Sequence, residues 1–209
     1  MPLVRPAEPC ADAPGASPHH QSVSPAALLD ALHAESPRER RSAARRLAMH
    51  APSAPTLCAH LCTEPEASVR SVILTSLITQ RSRDVVKGLL PFLRSEDAWL
   101  RNAAIEALQT MPDVLEPFIG DLIADVDSDV RILAVNLAAS VPHGQAPRWL
   151  ERVARDDCHV NVCAAAVEGL AEIGDEAAIP ALASLSDRFP GEPYVAFAAA
   201  VAIRRIRGR

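Results

Sequence analysis

Apolar residues recur along most of this chain in steps of three and four, and the same pattern returns every 30 to 33 residues. The stretch SEDAWLRNAAIEAL, residues 95–108, is nearly repeated by DVDSDVRILAVNLA, residues 125–138. With Leu100 and Val130 taken as position 1 of a helix, further copies start at Val69, Val162 and Val195, and a degenerate one starts at Glu39. Apolar residues fill positions 1, 4, 5, 8, 9 and 12. Copy three reads Leu100, Ala103, Ala104, Ala107, Leu108 and Met111, and copy four reads Val130, Leu133, Ala134, Leu137, Ala138 and Val141. These spacings put the whole set on one helical stripe. Each start follows acidic or polar residues, Glu64/Glu66, Ser95/Asp97, Asp125/Asp127 and Asp156/Asp157, which suit a helix N-terminus.

A second apolar segment precedes each of these helices, as in 114–124, 146–154 and 177–185. Pro25, Pro55, Pro117, Pro147 and Pro180 fall near its beginning, where a missing N–H is harmless. Pro91 falls in the middle of VVKGLLPFL and predicts a kinked or shortened helix. The unit is therefore helix, turn, helix. One such pair cannot bury its stripe alone, so six of them predict an all-α stack with nearest-neighbour contacts. Glu39, Ser42, Arg46 and His50 occupy core positions of the first copy, which marks it as a cap.

VRILAVNLAASV and VCAAAVEGLAEIGDEAAIPAL resemble HEAT repeats of the short kind found in phycobilisome lyases. The turn Ile173-Gly174-Asp175 followed by Ala178-Ile179-Pro180 carries the likeness, which spans roughly residues 24 to 206 and departs at Cys163 and Ala196, where the pattern has Arg. The resemblance implies a right-handed α-solenoid that binds other macromolecules along its inner face. It also implies that Arg70, Arg101 and Arg131, with Asp97 and Asp127, form a ladder between repeats.

Composition narrows the function. The chain is 49% hydrophobic but 3% aromatic, which favours close helix packing, and its net charge of −5 argues against a general nucleic-acid binder. There is no run long and apolar enough for a membrane span and no secretory pattern at the N-terminus. Five irregularly spaced cysteines point to a reducing, cytoplasmic setting. Residues 1–22 are rich in Pro and Ala without apolar period and read as a disordered tail before a solenoid at 23–209. Adjacent His19 and His20 in such a tail are ordinarily solvated.

No catalytic constellation, metal site or cofactor motif emerges. Cys58 and Cys62 in CAHLC share a helix face, but both align with core positions of other copies and read as small hydrophobes rather than metal ligands. Cys158 and Cys163 leave a redox role open. Candidate contact residues lie at positions 3, 7 and 11, pointing away from the stripe. They include Arg41 and Arg45 in the first copy, Asn102 and Glu106 in the third, Asn136 in the fourth, and Glu168 and Glu172 in the fifth, a row grading from basic to acidic. Trp99 falls in an exposed column as an apolar anchor at the row's edge. The expectation is a non-enzymatic scaffold or adaptor whose partner is another protein, with nucleic acid, membrane and small-molecule ligands disfavoured. A tetrapyrrole lyase or its chaperone is the alternative that the resemblance implies. A DNA-alkylation glycosylase is a third, disfavoured by the charge and by the scarcity of aromatic residues.

Overall fold

The protein is described by a computed structural model that places residues 24–50, 53–142 and 144–208. The 1–22 tail, with His19 and His20, lies outside the described residues. Six helix pairs follow one another: α1 (Pro25–Ala31) with α2 (Pro37–Leu47), α3 (Ala54–Thr63) with α4 (Ala67–Gln80), α5 (Arg83–Leu89) with α6 (Ala98–Gln109), α7 (Pro112–Leu122) with α8 (Ser128–Ser140), α9 (Ala146–Asp156) with α10 (Val160–Ile173), and α11 (Ile179–Arg188) with α12 (Pro193–Arg207). Each even helix packs on the even helices beside it, and α3, α5 and α7 and then α9 and α11 pack on one another, giving the two layers of an all-α solenoid.

The helices start where local chemistry says they should. Ser24 and Ser82 accept backbone N–H groups at the starts of α1 and α5, and Asp97 and Asp127 do so for α6 and α8. Pro91 ends α5 early, and the chain continues as a 3-10 turn over Leu90–Arg94. Pro117 departs from the expectation. It lies inside α7, whose first turn is opened by Pro112 instead.

The predicted stripe forms the core. Leu100, Ala104, Leu108, Met111, Val130, Leu137, Val162 and Leu170 are all buried, and each large aliphatic side chain so removed from water contributes about 1.5–3 kcal/mol. Positions 1, 4 and 8 look back toward the preceding pair. In the first pair those positions are Glu39, Ser42 and Arg46, all exposed. Small residues set the closest approaches. A Cβ on Gly169 would come within 2.7 Å of Leu150 Cδ1 and 3.1 Å of Ala139 Cβ, so α10 settles closely on both α8 and α9. A Cβ on Gly88 would come within 2.5 Å of Cys58 Sγ where α5 crosses α3. Cys58 is buried in the core, and burial pushes its thiol up to about 12. Cys62, expected in the same apolar environment, is exposed and donates its S–H to the Cys58 carbonyl, because α3 ends one residue later.

Polar pairs connect successive repeats. Arg40 donates two hydrogen bonds to Glu64 at 2.8 and 2.7 Å and further bonds to the Ala34 and Glu35 carbonyls. Glu64 is fully enclosed and also meets His60 Nε2 at 3.0 Å. Burial by itself would raise the Glu64 carboxyl, but Arg40, the Glu66 N–H and His60 together hold it below its ordinary value. Arg131 binds Asp157 of the next repeat in the same two-pronged way, at 2.8 and 3.2 Å, and the Asp125 carbonyl at 2.8 Å. Arg70 lies 3.6 Å from Asp97. Arg101 breaks the series. It donates to the Ser95 carbonyl at 2.6 Å and makes no ion pair among the described residues, while Asp127 caps α8 rather than receiving it. At the fifth rung Cys163 stands in the arginine's place, and Arg188 of α11 reaches in to the Ala154 and Asp157 carbonyls.

The close approach at Gly88 is open to test. Gly88→Ala clashes with Cys58 Sγ and lowers the melting temperature. In a Cys58→Ala background the approach to Sγ is gone and only a 3.2 Å contact with the Cβ remains, so the same change costs less stability and is partly offset by helix propensity. A double-mutant cycle by thermal denaturation measures this, and additive effects would contradict it. Glu64, whose pKa is depressed on folding, contributes stability that is complete above its unfolded pKa and is lost as pH falls through the folded value. Stability therefore drops below about pH 4.3. Glu64→Gln removes that dependence and costs about 1.5–3 kcal/mol at neutral pH. Urea titrations at pH 7 and pH 3.5 check both parts, and equal losses for the two proteins on acidification would refute the assignment.

Candidate functional site

Positions 3, 7 and 11 of the even helices line up along the open side of their layer. On α4, Ser71, Thr75 and Thr79 are exposed, and each hydroxyl donates to the carbonyl four residues back, at 3.0, 2.9 and 2.8 Å. Their donors are spent internally, so they present oxygen lone pairs and, from the two threonines, methyl groups outward. Asn102 and Glu106 on α6 and Asn136 on α8 are exposed beside them. On α2, Arg45 is exposed and half-buried Arg41 donates to Ser68 Oγ at 2.7 Å, and Met49, just past the helix end, is 80% exposed.

Trp99 sits at the margin of this row, 37% exposed. It is held rather than free. The Arg70 guanidinium lies 4.5 Å from its ring centroid, and Asp97 accepts the Trp99 backbone N–H at 2.9 Å while lying beside the same arginine. The arginine's Nε is buried without a hydrogen-bond partner. One side of the indole thus serves the contact between the second and third repeats, which leaves the rest of its surface for a partner.

The row does not end on the fifth helix pair. The sixth copy continues it with Phe197, Val201 and Arg205, and this changes the expected charge gradient. Arg205 pairs with Glu172 at 2.6 Å, and the Tyr194 hydroxyl donates to Glu168 at 3.2 Å. That hydrogen bond, together with the carboxylate's charge, raises the phenol's pKa. The two carboxylates are therefore engaged by α12, and they form the rim of a groove of about 290 Å³ between α10 and α12. Its floor is apolar, from Val167, Ala171, Ala198 and Val201, and Tyr194 and Phe197 stand over it, 59% and 66% exposed. Reading only five copies hides this groove. Extending the register to the sixth puts Phe197 in the contact column.

The remaining candidates do not converge on chemistry. Cys163 is buried against the Asp157 and Val153 carbonyls, and burial raises its thiol's pKa, whereas Cys158 is exposed. Among the described residues, no three or more His, Cys, Asp or Glu side chains gather as a metal site. No helix among the described residues is long and apolar enough to cross a membrane.

Comparison with known proteins adds a family. None of the curated proteins compared matches the chain. Among solved structures, two engineered proteins are similar, one at 18% identity and TM-score 0.42 over 88% of this chain and 96% of its own, the other at 19% and 0.40 over 90% and 100%. The complex of CpcE and CpcF of phycocyanin lyase from Nostoc sp. PCC7120 is similar at 18% identity and TM-score 0.36, over 99% of both chains. None of these scores reaches 0.5, so none of the likenesses bears on function. Residues 115–204 match the family of HEAT repeats. That match covers α8 to α11 and most of α7 and α12, so this part of the chain is built of HEAT repeats, and the same helix-pair unit runs back to Pro25.

Proposed function

We propose that this protein is a non-enzymatic scaffold or adaptor that holds a segment of another protein along the open side of its even helices. The observation that carries this reading is the groove between α10 and α12, with its apolar floor, two exposed aromatic side chains and a rim of Glu168, Glu172 and Arg205. An apolar centre inside a charged rim is the anatomy of a protein-binding surface, and aromatic anchors carry most of the energy in such sites. The exposed amides and carboxylate of Asn102, Glu106 and Asn136 extend the surface toward Trp99 and the arginines of α2. Charges spread over that distance set orientation and encounter rate more than affinity.

Affinity capture with the full chain, followed by mass spectrometry, supplies the partner for a binding measurement. Phe197→Ser weakens that complex by about 2 kcal/mol, the size of a hot-spot loss. Glu106→Arg/Glu168→Arg weakens it about tenfold. Both variants keep the helical circular-dichroism signal, because the altered side chains are exposed. Unchanged affinity in both folded variants would move the site off this surface. A bilin that changes its absorbance on mixing with the protein would favour the tetrapyrrole-lyase alternative instead.

A further inference from the structure

The two ends of the stack are built differently. The positions that look back toward a preceding repeat are polar in the first pair, where Glu39, Ser42 and Arg46 face solvent. The positions that look forward behave otherwise. Position 6 is buried as Ala44, Val135 and Val167 and half-buried as Leu74 and Ile105, and position 9 is buried in all five earlier copies. In α12 these same positions are Ala200, exposed, and Ile203, half-buried, with half-buried Ala196 in the place of the ladder arginine. The forward face of the last helix is thus written like an interior face, yet nothing among the described residues covers it.

The charges along α12 say what fits there. Glu192 precedes the helix, and Arg204 and Arg207 lie in its last turn; none of the three makes an ion pair among the described residues. Glu192 lies about 12 Å before Ala200 and Arg207 about 10 Å after it along the axis. A second α12 laid antiparallel, with Ala200 opposite Ala200, would bring each unpaired carboxylate to the other helix's unpaired arginine. Alanine at the crossing point permits close approach of the two axes. Stacking on the first repeat of a second copy would instead bury Glu39 and Arg46 against apolar surface at a large desolvation cost.

We infer that the forward face of α12 is a homodimer interface, in which two copies of this chain meet tail to tail across a two-fold axis through antiparallel α12 helices. The arrangement is isologous, so it closes at two copies and does not propagate. It uses a different side of α12 from the groove of the scaffold reading, and Ala200 lines no part of that groove.

Sedimentation equilibrium on the full chain at micromolar concentration tests it. The wild type sediments as a dimer. Ala200→Asp, which sets two carboxylates at the crossing point, weakens the dimer at least about tenfold while leaving the helical circular-dichroism signal and melting of the monomer unit unchanged. Glu192→Lys and Arg207→Glu each weaken self-association, because each sets like charges against one another at both ends of the interface. Mixing those two variants restores it as a heterodimer, because both contacts between positions 192 and 207 then join opposite charges. A monomeric wild type, a dimer indifferent to Ala200→Asp, or a mixture that fails to recover would each overturn the assignment.

Discussion

A pair of short helices has more apolar surface than it can hide within itself, and that single constraint shapes this molecule. Each even helix turns positions 1, 4 and 8 backward and positions 6 and 9 forward, so its burial depends on neighbours on both sides. α10 meets this fully, packing along α8, α9 and α12, and glycine at position 169 lets the helices draw together. Stability in such a stack is approximately a sum over repeats and the interfaces between them. The arginine–carboxylate pairs sit at those interfaces. Arg40–Glu64 and Arg131–Asp157 are enclosed, so each repeat is fixed to the next by charge as well as by packing, and neither charge tolerates loss of its partner.

The middle of the stack departs from this regularity in three linked ways. Pro91 cuts α5 short and sends the chain through a 3-10 turn, Arg101 lacks a carboxylate, and α6 meets α4 and α8 over shorter stretches than α8 meets α10. A cleft of about 440 Å³ lies there, lined by Arg94, Arg101, Asp127 and Leu133 among others. Fewer interlocking contacts at one interface lower the free energy of opening at that interface alone. The stack is thus two better-packed blocks joined at α6, with the polar amide-bearing part of the open face over the joint.

Most of the architecture is legible in the sequence because periodicity reports burial directly. Steps of three and four, repeated at 30 to 33 residues, locate the even helices and nearly every core residue. Legibility fails where a side chain's role depends on a distant residue or on where a helix stops. Column alignment puts Pro117 at a helix start and Cys62 in the core, but the helix boundaries move them into a helix interior and onto the surface. Analogy with Asp97 puts Asp127 in the ladder, yet Asp97 both caps its helix and meets an arginine, while Asp127 only caps. The charge gradient of the open face cannot be read from single columns, because Glu168 and Glu172 are engaged by Tyr194 and Arg205, residues 26 and 33 positions away. Glu64, the most enclosed charge among the described residues, looks like an ordinary residue before a helix, since nothing local marks a carboxylate that will accept Arg40 from the previous repeat.

The exchange at the fifth rung has a consequence for how the chain comes apart. In the first, third and fourth repeats the guanidinium that satisfies the inter-helix turn belongs to the same repeat, as Arg131 does for the Asp125 carbonyl. At the fifth repeat the carbonyls of Ala154 and Asp157 are served by Arg188, which belongs to the sixth. Peeling the last helix pair away would strip those carbonyls of their donor and leave Cys163, a weak one, in its place. The last two repeats therefore form one cooperative unit. Under a pulling force applied at the C-terminus the molecule would lose about 60 residues of structure in a single step rather than a repeat at a time.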